Sequence, residues 1–252
     1  KQKELKSEGR GNKDHAAATL TDKDIDILYE NQLLGLHSPE SIVNTLWLNN
    51  SIHFGLRGCQ EHRKMFWEDV KLVKDSEGVD YLEYTERQTK TRTGTDTENT
   101  RKVKPKMFAT STERNPVAVY KAYSEMRPAN MNTPEAPFYL GINHTKIKNT
   151  NKNWFKSAPM GVNKLFSLMK TMCKKANLEN ERLTNHSARK YMIQTLNDNE
   201  IPPSHIMQIS GHKNVQSITN YSHVNINQQK RISNILSSGG EESCIVPAEK
   251  KA

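Results

Sequence analysis

A chain of 252 residues has room for one large domain or two small ones, and 34% hydrophobic residues is a low but sufficient share for a core. Its longest apolar runs, such as that in IVNTLWL, fall far short of the roughly 20 residues that cross a bilayer, and its first residues are charged rather than signal-like, so no membrane role is expected. Three widely spaced cysteines, Cys59, Cys173 and Cys244, fit neither a disulfide framework nor a zinc knuckle and point to a reducing compartment.

Residues 1–20 are polar and charged without an apolar period and read as a linker or mobile arm. The chain opens on Lys1 rather than Met, as a fragment or processed product would. Thr21 is placed to cap a helix over DKDIDILYENQLL, and Ser38-Pro39-Glu40 opens a second one through SIVNTLWLNNSIHFGL. The spacing of Ile42, Leu46, Asn49, His53 and Leu56 predicts one buried face on that second helix. Short β-branched and aromatic segments follow, in FWEDVKLV, DYLEYTER and RKVKPKMF, and predict a small antiparallel sheet. Asn115-Pro116 starts a helix over VAVYKAYSEM, and residues 161–177 have a helical pattern. Asn185 is placed to cap HSARKYMIQTLND, Pro202-Pro203 precedes SHIMQIS, Asn214 precedes VQSITNY, and NINQQKRISNIL completes the helices. The tail from Ser237 reads as disordered. The expected fold class is mainly α with a small antiparallel β-sheet, in one domain over residues 21–236.

The formal net charge is +9, and its distribution is more informative than its total. Between Asn143 and Leu178 there are eight lysines, among them Lys146, Lys148, Lys152 and Lys156, and no acid, with Trp154, Phe155 and Phe166 interleaved. The segment from Gln88 to Lys106 adds Lys90, Arg92, Arg101, Lys102, Lys104 and Lys106 against Asp96 and Glu98. A lysine-rich run is more often a solvated face than a binding surface, but two such runs in one basic chain point to nucleic acid.

His186 and Arg189 stand three residues apart at a helix start, which puts both on one face near the positive helix end and outlines an anion site. Gly211-His212 lies at a helix-to-helix corner, where glycine permits the turn, and Tyr221 ends the next short helix. Arg57, in GLRGCQEH, offers a further cation. Taken singly, Arg57 would pair with Glu61, His212 would make a corner hydrogen bond, and Tyr221 would pack on the last helix. His62, His144, His205 and His223 show no comparable pattern.

Arg57, the H-x-x-R of His186 to Arg189, the Gly211-His212 pair and Tyr221 occur in the order that resembles the catalytic set of the tyrosine recombinases. GLRGCQEHRKM, QTKTRTG and NHSARKYMIQTLNDN are similar to the recombinase domain of Crypton DNA transposons. The resemblance covers Thr21 to Leu236 and implies site-specific cutting and rejoining of double-stranded DNA. Arg57 and Arg189 would grip the nonbridging oxygens of the scissile phosphate, as guanidinium forks suit phosphate geometry. His186 and His212 would hydrogen-bond the same phosphate, with His186 also a candidate to take the tyrosine proton. Tyr221 would attack phosphorus, leaving a 3′-phosphotyrosyl link and a free 5′-hydroxyl. The leaving oxygen takes its proton, in the family, from a hairpin lysine; Lys90 is the choice here, with Lys102 and Lys104 as rivals.

No metal or other cofactor is implied, because the covalent link conserves the phosphodiester energy. Self-association on DNA as a dimer or tetramer, and a nuclear location, follow from the same resemblance. The 129 positions from Arg57 to His186 exceed the spacing in compact bacterial relatives, and the added length includes the lysine block. About twenty polar residues precede Thr21, so the expectation is a catalytic domain without the helical DNA clamp that precedes it in relatives. Two alternatives are a domesticated, noncatalytic DNA-binding or scaffold module and a type IB topoisomerase; synapsis of two duplexes by four protomers separates the last from a recombinase.

Overall fold

The computed structural model describes residues 17–87, 103–144, 154–178, 182–212, 214–219 and 224–237. Helix α1 (Asp22–Glu30) starts as the sequence predicts: Thr21 accepts from the Asp24 amide, and Asp24 accepts from the Thr21 amide. It ends earlier than expected, and Gln32 takes a left-handed conformation at φ 56° just beyond it. Residues 17–20, assigned by sequence to the polar arm, are docked. Leu20 is buried, the Ala18 amide donates to the Arg182 carbonyl, and Lys190 donates to the carbonyl of Ala17.

Helix α2 (Pro39–His53) is capped by Ser38 and runs through the middle of the molecule. The expectation of a single buried face is corrected here: every residue from Ser41 to Ser51 is buried, polar ones included. Several polar members are accommodated by hydrogen bonds, with Thr45 and Ser51 donating to the carbonyls of Ser41 and Trp47 and Asn44 donating to that of Leu33, whereas Trp47 Nε1 and Asn49 Nδ2 are buried without a partner among the described residues. A short helix, α3 (Gln60–Arg63), follows.

Strands β1 (Val70–Lys74), β2 (Asp80–Tyr84) and β3 (Lys106–Phe108) form the expected antiparallel sheet, in the order β1-β2-β3 with Leu72 opposite Leu82 and Leu82 opposite Met107. Helix α4 (Pro116–Met126) is capped by Asn115, which accepts from the Val117 and Ala118 amides. A second antiparallel pair, β4 (Leu140–Ile142) with β5 (Phe155–Pro159), was not expected from the sequence. Its strands are short, and the lysine-rich stretch between them hides the alternation that would mark them.

The helical pattern over 161–177 resolves into α5 (Val162–Phe166) and α6 (Leu168–Lys175), separated at Ser167. Helix α7 (Asn185–Asp198) is capped by Thr184 rather than Asn185. Asn185 instead accepts from the Met169 amide and donates to the Leu165 carbonyl, tying α7 to α5 and α6. Helices α8 (Pro203–Ser210), α9 (Gln216–Thr219) and α10 (Ile226–Ser237) complete the chain order.

One large core surrounds Trp47, Phe54, Tyr123 and Phe138, and a small separate one joins Met192, Ile193, Ile206 and Ile218 beneath α7, α8 and α9. Ile52 packs against both. Among the described residues no helix is long and apolar enough to cross a membrane.

Candidate functional site

The seam between the two cores is where distant parts of the sequence converge. At the end of α2 the chain turns through Gly55, with φ at 60°, a conformation that disfavours a side chain. This turn brings the backbone against the end of α8. Two residues on, Arg57 donates its amide to Glu61 Oε2 at 2.6 Å, and its Nε lies 3.5 Å from Glu61 Oε1. The pairing with Glu61 that the local sequence offers is therefore made. Arg57 also reaches across the chain, donating from Nη2 to the Gly211 carbonyl at 3.2 Å.

The segment carrying Arg57 is anchored a second time by His62. The ring is fully buried, with Nε2 3.1 Å from Ser51 Oγ and Nδ1 2.8 Å from the Tyr139 hydroxyl, which also accepts from Asn50. Ser51 donates onward to the Trp47 carbonyl, so it accepts from His62 Nε2 and the proton sits there. Burial pushes the His62 pKa down to about 3. His62 is thus a neutral structural hub, in keeping with its lack of a catalytic pattern in the sequence.

From the other side, α7 presents His186 and Arg189. Arg189 is 1% exposed, and its guanidinium donates to the backbone carbonyls of Gly55 and Ser210. Its Nη2 also lies 3.2 Å from Nδ1 and 3.3 Å from Nε2 of His212. Gly211, left-handed at φ 69°, ends α8 and turns His212 toward the guanidinium, as the glycine-histidine corner predicts. His186 is half-buried on α7; burial, together with the charges of Arg189 and Lys190, holds its pKa below the ordinary imidazole value. The structure therefore joins Arg57, Arg189 and His212 in one cluster, with His186 one helical turn from Arg189.

Tyr221, Lys90 and Arg92, with Lys102 as a rival acid, lie outside the described residues, as do Lys146, Lys148 and Lys152. Lys104 is placed 3.1 Å from Glu83, and Lys156 is exposed on β5. The aromatics of the lysine block divide: Phe155 is buried, Trp154 packs against the core and Phe166 is 71% exposed. Two of its lysines are internally paired, since Lys164 and Lys175 hold Glu40 at 2.9 and 2.8 Å. Gly55 and Ser210 carry weight in the site that the sequence did not reveal. A glycine two residues before Arg57 was a readable signal; nothing marked Ser210.

The chain has the tyrosine recombinase catalytic domain fold: XerH site-specific recombinase, in a post-cleavage complex with palindromic difH substrate, matches 87% of this chain and 52% of its own at a TM-score of 0.56 and 13% identity. XerA recombinase matches 87% of this chain and 65% of its own at a TM-score of 0.50 and 15% identity. By sequence, the chain belongs to the family described as Domain of unknown function (DUF3504), whose model matches residues 20–174. It is similar to Uncharacterized protein KIAA1958 of Homo sapiens, 25% identical over 162 residues, and to the Mus musculus homolog, 24% identical over the same length. These stretches cover 62% of this chain and 22% of each relative, so the chain spans about a fifth of the curated relatives' length.

Proposed function

We propose that this chain is the catalytic domain of a tyrosine-type site-specific DNA recombinase of the Crypton kind, which cuts and rejoins double-stranded DNA through a 3′-phosphotyrosyl link. The observation that carries this reading is the convergence of Arg57, Arg189 and His212 at one corner from three separate stretches of sequence. Two guanidinium groups and a ring donor at one point suit a phosphodiester whose negative charge grows as phosphorus is attacked. His186, kept neutral by its surroundings, is able to accept the phenol proton as Tyr221 attacks. The P–O bond to the 5′-oxygen then breaks, and a lysine of the β2–β3 connection, Lys90, supplies that oxygen's proton. Arg92, Lys146, Lys148, Lys152 and Lys156 hold the DNA backbone. A nuclear location accompanies the Crypton reading.

Self-association on DNA is part of the proposal and rests on α10. Ile226, Ile232, Ile235 and Leu236 are 63%, 49%, 54% and 78% exposed, an apolar stripe on a helix with no buried residue. The helix is tied to its own domain by polar contacts, with Asn225 donating to Asp198, Gln228 to the Asn197 carbonyl and Arg231 to Glu200. A second protomer would cover the stripe.

The deciding experiment is covalent trapping on a nicked suicide substrate made from the element's own ends. The wild-type chain is expected to form a denaturant-resistant adduct, and Tyr221→Phe to form none while binding DNA with nearly unchanged affinity. An adduct with Tyr221→Phe defeats the assignment of the nucleophile. Binding without any wild-type adduct identifies a noncatalytic DNA-binding module instead.

A further inference from the structure

Ser210 is fully buried at the last position of α8, and among the described residues its hydroxyl has one hydrogen-bond partner, Nδ1 of His212 at 2.7 Å. Three other helical hydroxyls turn back to the carbonyl four residues earlier, Thr45 to Ser41, Ser51 to Trp47 and Ser237 to Ser233. Ser210 instead reaches forward across the left-handed Gly211. The difference decides where a proton lies. A buried O–H without an acceptor loses its hydration and gains nothing, whereas an oxygen lone pair left empty costs much less. Among the described residues the only acceptor the hydroxyl meets is the ring nitrogen. Arg189 has donors alone and offers the hydroxyl no alternative; its Nη2, 3.2 Å from Nδ1 and 3.3 Å from Nε2, also needs a ring lone pair, and in the Nε2–H form it shares that of Nδ1 with the hydroxyl. Ser210 therefore donates, Nδ1 keeps its lone pair, and the proton of the neutral ring is on Nε2.

We propose that Ser210 is a positioning residue that holds His212 in the Nε2–H tautomer, so that the ring presents a donor to an oxygen of the phosphodiester rather than a lone pair that would repel it. The phosphate half of this inference rests on the recombinase reading; the tautomer does not. The Ser210 carbonyl accepts from Arg189 through the same residue, so the end of α8 sets the guanidinium and the imidazole together. The side-chain part of that arrangement is removable without touching the backbone part.

Nitrogen-15 NMR of the labelled 252-residue chain above pH 8, with His212→Gln used to assign the ring, tests the tautomer directly. The expected wild-type spectrum has His212 protonated on Nε2 and bare on Nδ1. Ser210→Ala is expected to bring in the Nδ1–H form, and Ser210→Thr, which keeps the hydroxyl, to restore the wild-type ratio. Wild-type protonation on Nδ1 overturns the proposal, and so does an unchanged tautomer ratio in Ser210→Ala. If the alanine variant does not fold, the wild-type spectrum alone decides. On the nicked substrate at saturating DNA, Ser210→Ala is expected to form adduct about tenfold more slowly, with recovery in Ser210→Thr. A tautomer shift in a chain that forms no wild-type adduct upholds the role of Ser210 and removes the recombinase reading.

Discussion

Gly55 and Ser210 meet backbone to backbone: a Cβ on Gly55 would stand 2.9 Å from Ser210 Cα and 2.8 Å from the Ile209 carbonyl oxygen. That approach lets Arg189 bond the carbonyls of Gly55 and Ser210 at once. Gly55→Ala adds a methyl where only rigid backbone can yield, and it does so at a positive φ. The expected loss is about 3 kcal/mol from strain and overpacking together, which for a chain of this size lowers the melting temperature by roughly 6–12 °C. A melting curve that superposes on wild type would show that the two helix ends are free to separate.

The hairpin lysines are distinguishable by a sulfur-for-oxygen replacement. Lys104 is engaged with Glu83 on the sheet, which leaves it less suited than Lys90 to donate a proton to a leaving oxygen. Lys90→Ala is expected to slow cleavage of ordinary DNA and to recover on a substrate whose scissile 5′-oxygen is sulfur, because the thiolate leaves unprotonated. Rescue of Lys102→Ala or Lys104→Ala, with none for Lys90→Ala, moves the acid to the return strand.

The lysine block has a structural part and a part proposed for DNA. Reversing Lys146, Lys148, Lys152 and Lys156 to glutamate is expected to weaken binding across sequences and flatten its salt dependence, as fewer counterions are released. Glu40, by contrast, belongs to stability. Burial raises its pKa, but hydrogen bonds and charge from Lys175 and Lys164 outweigh that and bring it to about 2. A depressed folded-state pKa means that the ion pairs stabilise fully above the unfolded value of 4.5 and fade as the pH falls toward 2. Glu40→Gln is expected to cost about 1–2 kcal/mol at pH 7. In urea titrations that deficit closes between pH 4.5 and 2; a deficit constant with pH rules out the ion pairs as its source.

Removing residues 226–252 takes away the apolar stripe of α10 and leaves Arg57, Arg189 and His212 in place. Assembly of protomers on DNA, followed by gel shift and light scattering, is expected to stop at single occupancy while binding to one site persists. Unchanged assembly would show that α10 serves its own domain.

Much of the fold was legible in the sequence because its signals are local. Thr21, Ser38 and Asn115 cap the helices they were expected to cap, and three β-branched segments pair as one antiparallel sheet. Gly211 turns left-handed before His212 because a chain ending one helix and starting another needs that conformation, and glycine adopts it without strain. Tertiary structure decided what depends on surroundings. Whether α2 buries one face or nearly all of itself is set by what encloses it, which no helical period encodes. Lys164 and Lys175 belong by sequence to a lysine run that points to nucleic acid, and only the fold carries Glu40 between them. Arg57 read locally as the partner of Glu61, and only folding adds the Gly211 carbonyl, 154 positions away. The sequence by itself proposed Arg57, Arg189 and His212 as candidates, without Gly55 or Ser210; the close approach of Gly55 to Ser210 decided which carbonyls and which ring nitrogen they meet, because hydrogen-bond direction is a property of assembled backbones rather than of residue order.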